Sequence, residues 1–194
     1  MTVHVGVLGI QGDYALHQKS LKRLGVKQSN VRLPEELDSC DGLIIPGGES
    51  TTFVNLLKKT GLFEAILDFG KNKPIMGTCA GLITLSTRLT NDSMETLGLI
   101  DLSVERNGFG RQVDSFIDTI NVSVFEDKPA FEGVFIRAPR IKDVGEKTKI
   151  LAYWQDEVVM ARSETILGLT FHPELTSDTR IHQYFIESFI LSKK

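Results

Sequence analysis

Pro74-Ile-Met-Gly-Thr-Cys-Ala-Gly-Leu-Ile83 is the most informative stretch of this 194-residue chain. An apolar, strand-like run ends at Gly77, and a helix-like run begins at Leu82, just after Cys79 and two small residues. The pattern Gly-x-Cys-x-Gly is typical of the strand–turn–helix elbow that presents a nucleophile in α/β enzymes. Amide groups at the start of the helix would favour a thiolate there. The stretch therefore predicts a strand followed by a helix, and it makes Cys79 a candidate nucleophile.

A purely structural interpretation of this cysteine competes with the catalytic one. A free cysteine is usually a small buried apolar residue, and a strand followed by a glycine-rich turn is also common packing in α/β proteins. A catalytic role for Cys79 therefore depends on a base and an orienting group elsewhere in the chain. Cys40 lies in the polar turn Asp38-Ser-Cys-Asp41 without an elbow, and we interpret it as structural.

The first half of the chain alternates strand and helix patterns. Apolar runs predict strands at 3–10, 42–46 and 74–77, and the stretch 26–33 also resembles a strand. Helical patterns are found at 13–24, 51–59 and 62–71. Such alternation predicts a parallel sheet with helices on both faces. The second half predicts mainly strands, at 115–125, 133–138, 150–155, 157–162 and 166–171, and then a closing helix. We expect a single-domain α/β fold with a flavodoxin-like, open, mostly parallel sheet and an antiparallel extension.

Composition and charge restrict the class of protein. With 41% hydrophobic and 24% charged residues, the chain resembles an ordinary soluble globular domain. A net charge of −3 offers no basic surface for nucleic acid, and the longest apolar runs are too short to span a membrane. The first residues lack the basic region and cleavage site of a signal peptide, and two cysteines are too few for a disulfide framework. We predict one cytoplasmic domain over residues 1–194.

His172 is the histidine whose context favours a role as a base. It follows a predicted strand and precedes a proline and Glu174, and residues two apart in an extended backbone point to the same side. Glu174 would then hold one imidazole nitrogen while the other nitrogen faces a thiol. His4, His17 and His182 have no such context, and we interpret them as surface or packing residues.

A centre of this kind also needs hydrogen-bond donors for a developing oxyanion. The N–H of Ala80, directly after the nucleophile, is one natural donor. The Gly47-Gly48 turn after the third predicted strand is another, because glycine lets the backbone approach a ligand closely. On its own, the turn that precedes Glu49 would be an ordinary helix start. Ligands of open α/β sheets bind at the carboxyl ends of the strands, so we expect this turn and Cys79 to line one site.

The cysteine elbow, the Pro-Gly-Gly loop and the His-Pro-Glu sequence occur in an order that resembles the class I, or triad, glutamine amidotransferases. A larger set of motifs resembles one branch of that family, the glutaminase subunits of pyridoxal 5′-phosphate synthases. These motifs extend over essentially the whole chain: Gly9-Ile-Gln-Gly12, Ile45-Pro-Gly-Gly-Glu-Ser-Thr51, Gly77-Thr-Cys-Ala-Gly-Leu82, Val104-Glu-Arg-Asn107, Phe109-Gly-Arg-Gln112, Asp114-Ser-Phe116, Phe135-Ile-Arg-Ala-Pro139 and Phe171-His-Pro-Glu-Leu175. The stretches 121–133 and 145–164 match less distinctively.

The resemblance implies a role for each candidate residue. Cys79 would attack the side-chain amide of L-glutamine and form a γ-glutamyl thioester, with His172 as acid and base and Glu174 as its orienting group. The residues to which the resemblance assigns glutamine binding are Gly47, Gly48, Glu49, Arg106, Ile136 and Arg137. Beside the oxyanion donors Ala80 and Gly48, Gln11 would assist by analogy.

The resemblance also implies a partner. Ammonia in this family passes to a synthase subunit that makes pyridoxal 5′-phosphate from a pentose phosphate and a triose phosphate. We therefore expect a heteromeric complex with that synthase subunit, and higher glutaminase activity when it docks. We expect no cofactor and no metal in this chain, since it has no Gly-x-x-x-x-Gly-Lys loop and no Cys/His cluster at metal spacing.

Two other interpretations stay open at this point. The same triad would serve the glutaminase subunit of imidazole glycerol phosphate synthase, although Gly9-Ile-Gln-Gly12 and Phe109-Gly-Arg-Gln112 disfavour that acceptor. The chain would alternatively be a noncatalytic, flavodoxin-like binding or redox-sensing module with a reactive cysteine. The pairing of His172 with Glu174 disfavours this third interpretation, because sensing needs no positioned base.

Overall fold

The computed structural model describes residues 3–108 and 115–193, so the motif at 109–112 and Asp114 lie outside the described residues. The strands are β1 (His4–Leu8), β2 (Lys27–Val31), β3 (Gly42–Ile45), β4 (Ile75–Thr78), β5 (Ser86–Leu89), β6 (Ile100–Glu105), β7 (Ser115–Val122), β8 (Ala130–Ile136), β9 (Arg140–Val144), β10 (Lys149–Trp154), β11 (Glu157–Arg162) and β12 (Ile166–Leu169). The α-helices are α1 (Tyr14–Arg23), α2 (Ser50–Thr60), α3 (Leu62–Asn72), α4 (Ala80–Leu85) and α5 (Arg180–Phe185). Short 3₁₀ turns lie at Pro34–Leu37, Pro173–Leu175 and Leu191–Lys193.

Within the described part of the chain, nine strands form one sheet in the order β2-β1-β3-β4-β12-β11-β10-β7-β8. Neighbours from β2 to β12 are parallel. Neighbours from β12 to β8 are antiparallel. The order of the parallel strands is flavodoxin-like, and its direction reverses between β1 and β3. The predicted α/β class, the parallel sheet and the antiparallel extension are confirmed.

The parallel strands β1, β3, β4 and β12 are buried on both sides because helices cover both faces of the sheet, whereas the edge strand β2 is polar and partly exposed. Along β3 and β4, successive side chains alternate between two hydrophobic cores. Leu43 and Ile75 lie in the first core, whereas Ile44 and Met76 lie in the second. Helices α2, α3 and α4 contribute to the first core, and α1 and α5 contribute to the second. This double burial explains why these strands read as continuous apolar runs.

A second sheet, with the order β5-β6-β9, differs from the sequence-based expectation, which placed no strands in these segments. Strand β5 has the polar sequence Ser-Thr-Arg-Leu, with two exposed residues at its centre. It pairs parallel with β6, which pairs antiparallel with the distant β9. Strand β6 does alternate apolar and polar residues, and this signal was overlooked. Strands β5 and β9 have no such alternation, because their pairing depends on contacts with a separate segment.

The closing helix is present as α5 and continues into a π-helical turn at Ile186–Ile190. Its apolar residues Phe185 and Phe189 are buried in the second core. Cys40 is buried in the first core, as expected for a structural residue. Among the residues that the structure describes, no helix is long and apolar enough to cross a membrane.

The arrangement of the parallel strands brings four loops together. The carboxyl ends of β1, β3, β4 and β12 lie at one edge of the sheet because these strands are parallel neighbours. Gln11, Gly47, Cys79 and His172 lie in the segments that leave these four ends. A ligand at this edge therefore meets residues from four distant parts of the sequence.

Candidate active site

Cys79 lies at the turn between β4 and α4, as the elbow pattern predicts. Its backbone has φ 49° and ψ −105°, a conformation that residues other than glycine rarely adopt. Its N–H donates to the carbonyl of Leu169 at 2.9 Å, which ties the elbow to β12. Gly81 permits the tight turn, because a Cβ there would lie only 2.1 Å from the carbonyl oxygen of Ile45. The elbow thus holds the thiol at the carboxyl edge of the sheet.

His172 follows β12, and its backbone N–H donates to the carbonyl of Val134 at 2.9 Å. Its Nδ1 lies 2.8 Å from Oε1 of Glu174, and both residues are buried. The backbone between them is not extended, since β12 ends at Leu169 and Pro173–Leu175 forms a 3₁₀ turn. The expected contact is therefore present, but the extended geometry predicted for it was wrong.

Electrostatic interactions set the protonation states of His172 and Glu174. Burial by itself would lower the pKa of His172, but the interactions of its ring with Cys79 and Glu174 outweigh burial and raise the pKa to about 10. Burial would raise the pKa of Glu174, but the imidazoles of His17 and His172 outweigh burial and lower the pKa to about 2. At neutral pH an imidazolium therefore lies between a carboxylate and the sulfur, which suits a thiolate–imidazolium pair.

The glycine loop after β3 passes directly over the imidazole of His172. A Cβ on Gly47 would lie 2.4 Å from Cε1 of this ring, so only glycine allows the approach. Gly48 has φ 153° and packs against the amide of Gln11. The Nε2 of Gln11 donates to the carbonyl of Glu49 at 2.8 Å. Gln11 therefore holds the glycine loop in place through the carbonyl of Glu49.

Glu49 and Arg106 face each other at the mouth of the site. The carboxylate of Glu49 caps α2 by accepting from the N–H of Thr52 at 2.7 Å and of Thr51 at 3.2 Å, and these bonds lower its pKa to about 2. The guanidinium of Arg106 lies 3.4 Å from this carboxylate, donates to Thr51 Oγ1 at 3.0 Å and pairs with Asp92. The mouth thus presents one fixed cation and one fixed anion, which complement the two charges of a free amino acid.

Ile136 and Arg137 lie beside the thiol. The Sγ of Cys79 lies 3.8 Å from the carbonyl oxygen of Ile136. Arg137 has φ 42° and Asn107 has φ 52°, so both share with Cys79 a positive φ. Strained residues of this kind cluster at functional sites, and here three of them border the same space.

These residues enclose a cavity of 260 Å³, a volume that suits a ligand of amino-acid size. The predicted site residues that line it are Gly48, Glu49, Cys79, Arg106, Ile136, Arg137 and His172. Glu174 is buried next to the imidazole of His172, and Ala80 is buried as the first residue of α4. The structure therefore brings the predicted triad and most predicted binding residues to one cavity.

Several residues of the site were not assigned to it from the sequence: Asp13, His17 and the lining residues Ser50, Ile83 and Asn107. Asp13 lines the cavity, and its carboxylate lies with donor atoms of His172 and Glu174 within 4.8 Å of one another, a group that could hold a cation. A cation there would have to displace the hydrogen bond between the latter two side chains. His17 is fully buried, as a packing residue would be, and its Nε2 also lies 3.4 Å from Oε2 of Glu174, a contact that was not foreseen from the sequence. The spacing of four residues between Asp13 and His17 on one helix face, just beyond the end of β1, was the available signal.

Comparison with known proteins identifies the family. The chain matches the SNO glutamine amidotransferase family over residues 7–191. The chain belongs to this family. One SNO-family relative is the pyridoxal 5′-phosphate synthase subunit PdxT of Thermosipho africanus (strain TCF52B), which is 50% identical over 183 residues, or 94% of this chain and 96% of the relative. PdxT of Brevibacillus brevis (strain 47) is 51% identical over 185 residues, or 94% of this chain and 95% of the relative.

A solved structure extends the comparison to the fold of this SNO-family chain. A crystal structure of a glutamine amidotransferase is 42% identical and superposes with a TM-score of 0.89, covering 94% of this chain and 97% of the other. The resemblance that the motifs indicate is therefore confirmed, both for the glutamine amidotransferase family and for its pyridoxal 5′-phosphate synthase branch.

Proposed function

We propose that this chain is the glutaminase subunit of a pyridoxal 5′-phosphate synthase. It hydrolyses L-glutamine to L-glutamate and ammonia, and it delivers the ammonia to the synthase subunit for vitamin B6 biosynthesis. The observation that carries the proposal is the chain of contacts from Cys79 through His172 to Glu174 at the edge of the 260 Å³ cavity. The names of the two bacterial relatives support this acceptor over imidazole glycerol phosphate synthase.

The triad divides the reaction into two acyl-transfer steps. The thiolate of Cys79 attacks the amide carbon of glutamine, and the imidazolium of His172 gives its proton to the departing nitrogen, so that ammonia leaves and a γ-glutamyl thioester remains. His172, now neutral, takes a proton from water, which attacks the thioester and releases glutamate and the thiolate. The pKa of about 10 favours the imidazolium as the resting state from which the first proton is given. Glu174 keeps the ring in position through both steps.

Each step passes through a tetrahedral oxyanion that needs donors. We assign these donors to the backbone N–H groups of Ala80 and Gly48. The first N–H groups of a helix have no partner within it, so Ala80 at the start of α4 has a donor available next to the nucleophile. Gln11 acts indirectly, because its amide fixes the carbonyl of Glu49 and thereby the loop that carries Gly48.

The charges at the cavity mouth bind the amino-acid end of the substrate. Arg106 and Arg137 supply cations for the α-carboxylate, and the Glu49 carboxylate and the Ile136 carbonyl supply acceptors for the α-ammonium group. The loop glycines Gly47 and Gly48 complete the proposed binding set. The guanidinium of Arg106 is already held by Asp92, so it is positioned before the substrate arrives.

A partner follows from the chemistry of the product. Ammonia in neutral water is mostly protonated and no longer a nucleophile, so a sheltered path to an acceptor subunit preserves its reactivity. We propose that the whole chain, residues 1–194, acts as one glutaminase domain in such a complex. We place the complex in the cytoplasm, since Cys40 and Cys79 are both free thiols.

The test is a glutaminase assay with and without the synthase subunit, in which ammonia and pyridoxal 5′-phosphate are measured together. We expect the partner to raise ammonia release and glutamine to serve as the nitrogen source for the product. The Cys79→Ala variant should release no ammonia, whereas Cys40→Ala should keep normal turnover because that thiol lies in the core, outside the cavity.

Each alternative has its own outcome. Ammonia release that responds to the cyclase subunit of imidazole glycerol phosphate synthase, and not to the pyridoxal 5′-phosphate partner, would show that the acceptor is wrong. Glutamine turnover by Cys79→Ala would show that the nucleophile is wrong. No turnover with either partner, together with reversible oxidation of Cys79, would favour the noncatalytic redox module.

A further inference from the structure

Glu174 has a second buried neighbour that the triad does not use. The Nε2 of His17 lies 3.4 Å from Glu174 Oε2, on the side opposite to His172, and also 3.4 Å from Thr78 Oγ1. Behind it, Nδ1 of His17 lies 2.9 Å from Nε2 of His182. Both rings are fully buried. A row of polar groups therefore runs from α5 through α1 to the orienting carboxylate.

Burial determines the charge of the two rings. It lowers the pKa of His17, against which the charge of Glu174 acts only partly, with smaller effects from His172 and Asp13. It also lowers the pKa of His182, to about 3. Each ring is therefore neutral at pH 7 and carries a single N–H group. One of these two protons must lie in the 2.9 Å contact between the rings.

One placement of the protons avoids a buried N–H group without an acceptor. If His17 donated from Nδ1, its Nε2 would turn a lone pair toward the carboxylate of Glu174, and His182 would bury an N–H at Nδ1. Among the described residues, Nδ1 of His182 has no hydrogen-bond partner, and a buried N–H there would be unsatisfied. If His182 donates from Nε2 instead, His17 carries its proton on Nε2 and directs it at Oε2 of Glu174. Within the same described residues, that oxygen has no hydrogen-bond partner, and Nε2 of His17 lies 3.4 Å from it.

We propose that His17 is a positioning residue of the glutaminase centre, which donates its Nε2–H to the second oxygen of Glu174 and is itself fixed by the Nε2–H of His182. The inference rests on the proposed role of Cys79, His172 and Glu174. With donors on both sides, the buried carboxylate cannot rotate, and its Oε1 stays in line with Nδ1 of His172. The two-sided contact also keeps the carboxylate ionised where burial alone would protonate it.

Two amide variants separate the two nitrogens of His17. Glutamine places an amide N–H near the position of Nε2, whereas asparagine places it near that of Nδ1. We expect His17→Gln to keep most of the activity. We expect His17→Asn to lower kcat roughly 10-fold to 100-fold with little change in KM, since hydrogen bonds to charged groups have about this strength. In the plot of kcat against pH, the midpoint of the acid limb should lie about one pH unit higher in His17→Asn, because Glu174 then ionises less readily.

The assays use the chain together with the synthase subunit, and His4→Gln serves as the matched control. His4 is another buried histidine, which bonds Ser29 and Ser39 away from the cavity, so its replacement should lower stability without moving the pH profile. Equal activity in His17→Gln and His17→Asn, with only a lower Tm and an unmoved acid limb, would overturn the proposal. Turnover by Cys79→Ala would instead refute the triad itself, so the two failures are distinguishable.

A measurement on the unmodified protein decides the matter even if a variant fails to fold. In the chain labelled with ¹⁵N-histidine, the nitrogen shifts should identify His17 as a neutral ring protonated at Nε2 throughout pH 7 to 9, because burial lowers its pKa below the ordinary value of 6.5. A neutral His17 ring protonated at Nδ1 would refute the proton placement, and so would a His17 ring that is still cationic at pH 7.

Discussion

Replacing Gly47 with alanine should displace the catalytic imidazole while leaving the cavity open. The added Cβ would lie 2.4 Å from Cε1 of His172, whereas ordinary contacts begin at 3.4 Å, so one group must move by 3.4 − 2.4 = 1.0 Å. The loop cannot retreat, because the carbonyl of Gly47 already lies so close to Gly12 that a Cβ on Gly12 would be 1.8 Å away. The imidazole therefore has to move, against its bond to Glu174.

The size of that movement sets the expected loss. A misplacement of about 1 Å in a catalytic group lowers the rate roughly 100-fold. We expect kcat for ammonia release, measured with the synthase subunit present, to fall by about that factor. The KM for glutamine should change much less than kcat, because the charged side chains proposed to bind the substrate, those of Glu49, Arg106 and Arg137, are untouched. Alkylation of Cys79 by iodoacetamide should also slow, since the thiolate loses its imidazolium neighbour.

Gly42→Ala is the matched control. Its Cβ would meet the side chain of Ile190 at 2.7 Å, a clash of similar size at the opposite end of β3. We expect this variant to lose stability but to keep its kcat below its Tm. A wild-type kcat in Gly47→Ala would refute the reasoning, because the imidazole would then tolerate the displacement. Equal losses of kcat in both variants would show that the effect is global.

Three further changes test other parts of the site. The pKa of His172 is raised from an ordinary 6.5 to about 10, so its contribution to stability is complete below pH 6.5 and is lost as the pH rises toward 10. The unfolding free energy in urea should therefore differ most between wild type and His172→Gln at low pH, and a difference that grows with pH would contradict the assignment. Arg106→Ala should raise the KM for glutamine by roughly 10-fold to 100-fold, because the substrate loses a charged partner. The control Arg88→Ala removes only an exposed ion pair and should leave the KM unchanged. Equal KM values in the two variants would exclude Arg106 from glutamine binding. Gly81→Ala places a Cβ against the carbonyl of Ile45. This overpacking should lower the free energy of unfolding by about 1–3 kcal/mol and the Tm by about 2–12 °C. An unchanged melting curve would mean that the elbow is less tightly packed than its contacts indicate.

The sequence was sufficient for the parts of the site that depend on local backbone. The elbow at Cys79 needs small residues within a few positions, and the turn at Gly47 needs glycine, so both are visible as short patterns. Glu174 was also found from its position two residues after His172, although a 3₁₀ turn and not an extended strand brings the two side chains together. Local spacing predicted the contact correctly because either geometry places the carboxylate near the ring.

What could not be predicted depends on packing between distant segments. His17 reads as an ordinary helix residue until α1 is placed over the end of β12, where its ring reaches Glu174. Strands β5 and β9 were missed for the same reason, since each contributes few apolar residues and pairs with a separate segment, β6. Strand β6 is different, because its alternating apolar residues were a local signal that was overlooked. The left-handed backbone of Arg137 follows an unremarkable strand and has no sequence signature of its own.

At position 79, the residue proposed to provide activity lowers the stability of the fold, because its backbone has a positive φ. A non-glycine residue at φ 49° carries strain of about 1–3 kcal/mol, which glycine would relieve. The most stable occupant of position 79 is therefore not the reactive one. A laboratory selection for heat resistance alone would tend to replace the thiol, and the winning variants would be robust but inert. Any programme to thermostabilise this enzyme has to hold position 79 fixed and seek its gains elsewhere.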